Sequence, residues 1–203
     1  KSGSGEFGGN PSKSLVEQFN DVKEVLAKKW PNAKYIAYFQ ARTNTYAPLL
    51  VLKEKYESVL GIDNVIGLDI ATRCDAISDD TLDYLEELSK RTFLTIELGL
   101  QTTKEETSIL INRGHTLKEF DDMVKKLRDR NINVVVHIIN GLPYENEDDM
   151  LNTVRHLNKL DIQGIKIHML NIVKDTPLEV LYNKEKFHIL TKEEYIDIVI
   201  KQL

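Results

Sequence analysis

Cysteine and long hydrophobic runs are scarce in this sequence. A single cysteine, Cys74, can form no internal disulfide, and such a chain suits a reducing, cytoplasmic compartment. No apolar run approaches the roughly 18 residues of a membrane-spanning helix, and no signal-peptide segment is present. We therefore expect a cytoplasmic protein without membrane contact, in which Cys74 is a buried, unreactive side chain.

An excess of positive charge is also absent. The 203 residues include 27 lysines and arginines against 32 aspartates and glutamates, for a net charge of −5. This balance argues against broad affinity for nucleic acids, although a local basic patch is compatible with it. The length fits one domain with a sizeable core, and 41% apolar residues are ordinary for a globular protein.

Helix-like and strand-like segments alternate along the sequence. Helical periodicity, with N-caps such as Ser14, Ser78 and Thr191, predicts the helices. Apolar runs predict five strands, at residues 35–39, 65–71, 93–98, 132–139 and 164–170. Strands joined by helical crossovers pair in parallel, and continuous apolar runs indicate that both faces are buried. The sequence therefore predicts an α/β fold with a parallel sheet in sequential order, and periodicity leaves open whether the sheet closes.

Polar side chains lie in or just after these strands, where α/β proteins bind small molecules. Glu97 interrupts an apolar strand, so its carboxylate must pair with a cation or face an open mouth. Gln101 offers amide groups to a hydroxyl ligand, and Arg113 offers a planar fork to a carboxylate. His137 and His168 lie in neighbouring predicted strands, and both a core role and a ligand-binding role stay open for them.

These residues belong to a series of motifs that resembles one protein family. The motifs run in order through Ser2-Gly3-Ser4-Gly5-Glu6-Phe7, Tyr35 to Ala41, Ala71-Thr72-Arg73, Glu97 to Thr102, Ile111 to Thr116, His137 to Pro143 and Gly164 to His168. Together they resemble the radical S-adenosylmethionine (SAM) superfamily, in the branch of oxygen-independent coproporphyrinogen oxidase and the Elongator catalytic subunit. Within that branch the sequence resembles the bacterial YhcC/YtqA group.

The resemblance implies a partial (β/α)6, TIM-like barrel of parallel strands, truncated before its first strand, with SAM at its mouth. It implies cofactor-binding roles for Gln40, Arg73, Glu97, Gln101, Arg113, His137, Gly141 and His168. In the family, a reduced [4Fe-4S] cluster, fed by an external electron donor, cleaves SAM to a 5′-deoxyadenosyl radical. The cysteine triad that holds this cluster is missing here, so we expect the chain to leave the cluster unligated and to be inactive by itself.

Four positions depart from the family pattern. Gln40 and Ala41 stand where many members have two glycines, and Cys74 stands where relatives have proline. His137 stands where coproporphyrinogen oxidases have an acidic residue, so a ribose contact there would be altered. At Gln40 and Ala41 only the location of the site carries over.

Both ends of the sequence look cut. Residues 1–10 have the composition of a linker or tag, but relatives have a similar segment just after their cluster cysteines. We therefore expect residues 1–13 to form the loop after an absent cluster-binding segment, and residues 14–203 to form the barrel. The far end stops within an apolar periodic run and has no capping residue.

Two other functions stay open from the sequence. Glu97, His137 and His168 could coordinate one divalent metal in a barrel aldolase or hydrolase, although no short-spaced histidine motif supports this. The chain could also be a non-catalytic binding domain with vestigial strand ends. For the substrate, the family hints at RNA or a tetrapyrrole, and the composition supports neither.

Overall fold

The computed structural model describes residues 10, 12–40 and 42–203. The motif at residues 2–7, Pro11 and Ala41 therefore lie outside the described residues. Among the described residues, no helix has the length and hydropathy that crossing a membrane requires.

Five strands form one parallel sheet in sequential order, as the helical crossovers predict. They are β1 (Tyr35–Phe39), β2 (Val65–Thr72), β3 (Phe93–Gln101), β4 (Asn133–Asn140) and β5 (Gly164–Met169). Strand β3 is longer than its apolar run predicts. Its register with β4 shifts between Gly99 and Gln101, and Gln101 has a positive φ of 67°.

Helices connect and follow the strands. They are α1 (Leu15–Ala27), α2 (Leu49–Leu60), α3 (Asp79–Ser89), α4 (Glu105–Leu110), α5 (Leu117–Arg128), α6 (Glu147–Leu157), α7 (Pro177–Glu185) and α8 (Lys192–Gln202), with a 3₁₀ turn at Cys74–Ala76. The predicted N-caps are confirmed: the side chains of Ser14, Ser78 and Thr191 each accept a hydrogen bond from the first turn. Such caps satisfy amide groups that have no partner inside the helix.

The two faces of the sheet differ in burial. Leu94, Ile96, Leu98 and Leu100 of β3 face the helices and are fully buried in the core. Phe93 lies on the opposite face and is 49% exposed, so the expectation that both faces are buried holds for only part of the sheet. Successive side chains along one strand thus point alternately to the hydrophobic core and to an open cleft.

The sheet curls into a half-barrel. Its curvature is visible between the first and last strands, because the ammonium group of Lys166 on β5 lies 4.4 Å from the ring centre of Tyr38 on β1. In a sheet with linear strand order, only strong curling brings these strands together. Within the described part of the chain, β1 pairs with β2 alone, and a groove of about 440 Å³ separates β1 from α1.

Candidate functional site

Every strand contributes a polar side chain to one network on the inner, concave face of the sheet. Its members are Tyr38 of β1, Asp69 of β2, Glu97 of β3, His137 of β4, and Lys166 and His168 of β5. Period-two alternation produces this arrangement, since the neighbouring residues of each strand point to the helices instead. The network therefore forms a polar floor within the half-barrel.

Glu97 is the centre of the network and is only 1% exposed at its side chain. Its Oε2 accepts hydrogen bonds from the Tyr38 hydroxyl at 2.6 Å and from Nε2 of His137 at 2.7 Å. Its Oε1 contacts the ammonium group of Lys166. Of the two alternatives for this carboxylate, a cation partner or an open mouth, the structure shows the cation partner. Burial alone would raise the pKa of Glu97, but Lys166, Tyr38 and the other partners hold it at about 2.

Asp69 is the second carboxylate of the network, and its environment has the opposite effect. Burial, together with the neighbouring Glu97, raises the pKa of Asp69 to about 7. Its Oδ1 is buried and has no hydrogen-bond partner among the described residues. Two adjacent carboxylates in a partly desolvated site share one proton, and the opposite directions of their pKa shifts place it mainly on Asp69.

The two histidines connect Glu97 to the surface of the cleft. Nδ1 of His137 lies 3.1 Å from Nε2 of His168, and the ring centres are 5.0 Å apart. His168 is exposed and is the penultimate residue of β5. Burial of its ring atoms, with His137 and Lys166 nearby, lowers the pKa of His168. The structure thus brings together three of the predicted site residues: Glu97, His137 and His168.

Two predicted glutamines lie at the carboxyl ends of the strands. Gln40 directly follows β1 and is exposed, and Gln101 is the half-buried last residue of β3. No described residue bonds to the side-chain amide of Gln101, which folds back until Nε2 is 2.6 Å from where a Cβ on Gly99 would lie. Both amides are therefore available to a ligand at this end of the half-barrel.

Gly141 lies in the turn after β4, where φ is +84° and a side chain would be strained. Its N–H group donates to Sδ of Met150 at 3.2 Å, and a Cβ would meet Leu190 at 3.0 Å. The glycine lets the backbone turn tightly at the mouth.

The two predicted arginines lie outside the inner-face network. Arg113 is buried, and it donates from Nε to the His115 carbonyl at 2.9 Å and from Nη1 to the Thr102 carbonyl at 2.7 Å. Its Nη2 has no hydrogen-bond partner within the described part of the chain, although a Glu105 carboxylate oxygen lies 3.5 Å away. Arg113 thus ties the end of β3 to the following turn, and its role toward SAM stays a prediction.

Arg73 follows β2 and forms a two-pronged ion pair with Asp75, at 2.9 and 2.6 Å. This loop salt bridge gives Arg73 a structural role. The guanidinium also lies over Gly114, where a Cβ would be 2.7 Å from Nη2. A role for Arg73 toward a cofactor is a prediction that the geometry leaves open.

Sequence reasoning missed Tyr38, Asp69 and Lys166 as members of the site. Asp69 carries the same signal as Glu97, because it is a carboxylate within an apolar strand. Lys166 precedes His168 by two residues and therefore shares its face of β5. For Tyr38 the sequence contains no comparable signal, because a tyrosine in a strand usually belongs to the core.

Metal-binding arrangements are not found in the described residues. No group of three or more histidine, cysteine, aspartate or glutamate side chains there could hold a metal ion. Cys74 is buried as expected, and burial raises the pKa of its thiol to about 12. The metal-dependent aldolase or hydrolase is therefore not favoured.

A comparison with protein-family models identifies the family. The model described as the Radical SAM superfamily matches residues 3–157, and that of the Radical_SAM C-terminal domain matches residues 162–203. The chain belongs to the radical SAM superfamily. This family generally uses SAM and a [4Fe-4S] cluster. The free amides at the mouth fit SAM, whereas a single buried cysteine does not fit the ligand set of the cluster.

Curated relatives of this radical SAM chain support the assignment. The protein YtqA of Bacillus subtilis (strain 168) is 51% identical over 201 residues, which are 99% of this chain and 62% of that protein. The protein YhcC of Escherichia coli (strain K12) is 34% identical over 184 residues, which are 90% of this chain and 59% of that protein. The chain thus spans about three-fifths of the length of these relatives.

Solved structures show the same fold. The archaeal Elp3 of Methanocaldococcus infernus matches with a TM-score of 0.81 at 18% identity, over 93% of this chain and 49% of that chain. A second match is coproporphyrinogen III oxidase (HemN) of Escherichia coli, which is described as a radical SAM enzyme. It has a TM-score of 0.58 at 17% identity, over 78% of this chain and 37% of that chain. The five-stranded half-barrel is therefore the core domain of the radical SAM fold, as the resemblance implies.

Proposed function

We propose that this chain is the SAM-binding part of a radical SAM enzyme, with SAM at the carboxyl ends of the strands above the inner-face network. The observation that carries the proposal is Gln101, whose amide is without a partner in the described residues and follows the strand that holds Glu97. A ribose hydroxyl is a suitable ligand for it, since a carboxamide can donate and accept. In this family, SAM bound to a reduced cluster supplies hydrogen-atom abstraction.

The other residues have distinct roles in this proposal. Gln40 at the end of β1 and the turn at Gly141 border the cofactor from two sides. The network of Glu97, His137 and His168 forms the floor below it. Arg113 fixes the end of β3, and its buried Nη2, which has no hydrogen-bond partner among the described residues, supports the family's assignment of this residue to the SAM carboxylate.

We further propose that the chain does not ligate the cluster. Cys74 is the only cysteine of the sequence, and burial keeps its thiol protonated because it raises the pKa to about 12. Arg73 remains at the edge of the mouth beside Asp75, where it could meet the outer part of a ligand.

The proposal can be tested by titrating the ¹⁵N-labelled chain with SAM and following amide resonances by NMR. We expect the side-chain amides of Gln40 and Gln101 to shift. Gln101→Ala should weaken SAM binding about fivefold, since a hydrogen bond to a neutral hydroxyl contributes about 1 kcal/mol.

Gln18→Ala is the matched control, because Gln18 lies on α1 and its side-chain amide already donates to the backbone carbonyl of Lys13. It should leave the SAM affinity unchanged. Equal effects of the two substitutions, or SAM-induced shifts that avoid the strand ends, would contradict the proposed site.

A further inference from the structure

The hydrogen bonds from Glu97 through His137 to His168 form a continuous line from the buried floor to the cleft. The two links measure 2.7 Å, from Glu97 Oε2 to His137 Nε2, and 3.1 Å, from His137 Nδ1 to His168 Nε2. Beyond them, Nδ1 of His168 has no hydrogen-bond partner among the described residues, and the residue is exposed. The line therefore ends at a ring nitrogen that is open to a ligand.

The charges around this line determine where its protons lie. Glu97 is ionised, and the Lys166 ammonium at its Oε1 balances that charge. Tyr38 donates its hydroxyl proton to the same carboxylate, and Asp69 holds the proton of the carboxylate pair. When Asp69 holds its proton and both imidazoles are neutral, the floor of the half-barrel has no net charge, which is the arrangement that a partly desolvated site favours.

A neutral imidazole has one N–H donor and one acceptor nitrogen, so each link fixes the next. His137 must donate from Nε2 to the Glu97 carboxylate, which leaves its Nδ1 as an acceptor. His168 must then donate from Nε2 to that nitrogen, which leaves a lone pair on Nδ1 of His168. The order of donors and acceptors follows from the single anion at the buried end.

We propose that Glu97 and His137 are positioning residues that fix His168 as the proton acceptor of the site. Nδ1 of His168 would accept a hydrogen bond, and then the proton, from an O–H or N–H group of the ligand in the cleft. The donor oxygen or nitrogen keeps the electron pair of the broken bond, and His168 becomes an imidazolium. This proposal rests on the proposed SAM site only in taking the cleft as the place of the ligand.

Two features suit His168 to this role. Partial burial, with His137 and Lys166 nearby, lowers the pKa of His168, so its ring is neutral and able to accept a proton at neutral pH. When it becomes charged, the line to Glu97 places an anion two hydrogen bonds away, which stabilises the imidazolium. A buried carboxylate that orients and supports a histidine in this way is a recurrent device for general base catalysis.

The arrangement can be tested directly by ¹⁵N NMR of the histidine-labelled chain, since protonated and unprotonated ring nitrogens resonate far apart. At neutral pH, His168 should show a protonated Nε2 and an unprotonated Nδ1. Glu97→Gln should replace this single tautomer by a mixture, because an amide can donate or accept at that position. His156→Asn is the matched control, because His156 pairs with Asp121 between α5 and α6, and it should leave His168 unchanged.

The wild-type spectrum decides the proposal even where a variant fails to fold. A proton on Nδ1 of His168 at neutral pH, as either the other tautomer or an imidazolium, overturns it. Addition of SAM shows whether the proton donor is the cofactor or the substrate. A shift of the Nδ1 resonance assigns the donor to the cofactor, whereas an unchanged Nδ1 resonance at concentrations that shift the Gln101 amide assigns it to the substrate.

A SAM titration that leaves Gln101 unaffected counts against the proposed cofactor site alone. The tautomer of His168 is then still read from the spectrum without ligand. The two proposals can therefore fail separately.

Discussion

Asp69 and Glu97 are neighbouring carboxylates whose pKa values differ because only Glu97 has cationic and hydroxyl partners. Asp69 has an ordinary value of 3.8, and in the fold its pKa is raised to about 7. Between those values the folded chain holds a proton that the unfolded chain has lost, so this contribution to stability is present below pH 3.8 and is lost as the pH rises through about 7. For Glu97, whose pKa is lowered to about 2, the contribution is present above pH 4.5 and is lost as the pH falls through about 2.

We expect Asp69→Asn to stabilise the protein at pH values above about 7 and to have little effect near pH 4, because asparagine keeps the donor toward Glu97 without a titrating proton. The gain in the free energy of unfolding should be about 1–2 kcal/mol, which is less than the full shift implies because Asp69 is only half-buried. Urea denaturation at both pH values measures it. Asp63→Asn, in the exposed loop before β2, is the control. An equal effect of Asp69→Asn at both pH values would refute the assignment of the proton to Asp69.

Individual site residues could be predicted only as far as local chemistry determines them. The cost of burying Glu97 predicts that it pairs with a cation or faces an open mouth, and the structure shows a cation partner. That the cation is Lys166 could not be predicted, because β3 and β5 are not neighbours in the sheet and only its curl joins them. Likewise, nothing in the sequence indicates that Nε and Nη1 of Arg113 are engaged by backbone carbonyls of the surrounding turns.

At the scale of elements, the turn between α4 and α5 depends on Gly114. Its φ of +85° lies in the left-handed region, and a Cβ would lie 2.7 Å from Nη2 of Arg73. The preceding Arg113 connects this turn to β3 through its hydrogen bonds. The turn therefore couples the ends of two strands at the mouth, and a side chain at Gly114 would strain that connection.

We expect Gly114→Ala to lower the free energy of unfolding by about 1–2 kcal/mol, since alanine in the left-handed region costs roughly that much. The flexible end of Arg73 can move aside, so we expect the steric contact to add little. Gly61→Ala is the matched control, because Gly61 ends α2 with a φ of −76° and open space around its Cα. It should be neutral or slightly stabilising, as measured by thermal or urea denaturation. A similar loss in both variants would show that the conformation of Gly114 is not the cause.

The boundaries of elements were predictable where caps and periodicity mark them. Ser14, Ser78 and Thr191 were identified as N-caps from the sequence because their hydroxyls and the residues that follow form recognisable patterns. The end of β3 was predicted at residue 98, but the strand continues to Gln101. The bulge after Gly99 and the positive φ of Gln101 are backbone features that an apolar pattern does not contain.

At the scale of the whole molecule, the order and direction of the strands follow from the helical crossovers between them. The curvature of the sheet does not follow from periodicity, since flat and curled parallel sheets have similar apolar runs. The contact between Tyr38 and Lys166 shows the curl directly. The same curl leaves a polar inner face, which a sheet covered by helices on both sides would not have.

The number of cysteines limits the iron chemistry of the whole molecule. A four-iron cluster takes several cysteine ligands, and this chain offers only Cys74, which is buried. Even two copies of the chain would bring two thiols to a cluster. We therefore expect anaerobic reconstitution with iron and sulfide to give no stoichiometric iron and no 5′-deoxyadenosine from SAM.

Iron and sulfide quantitation, with absorption and electron paramagnetic resonance spectra, would measure this outcome. Cys74→Ser is the control, and it should give the same background iron content as the wild type, because burial raises the pKa of the Cys74 thiol to about 12 and keeps it from acting as a thiolate ligand. Iron that falls in Cys74→Ser would identify Cys74 as a ligand. A complete [4Fe-4S] cluster on this chain would require ligands other than cysteine and would overturn the view that the chain provides the SAM-binding floor while the cluster is held by other residues.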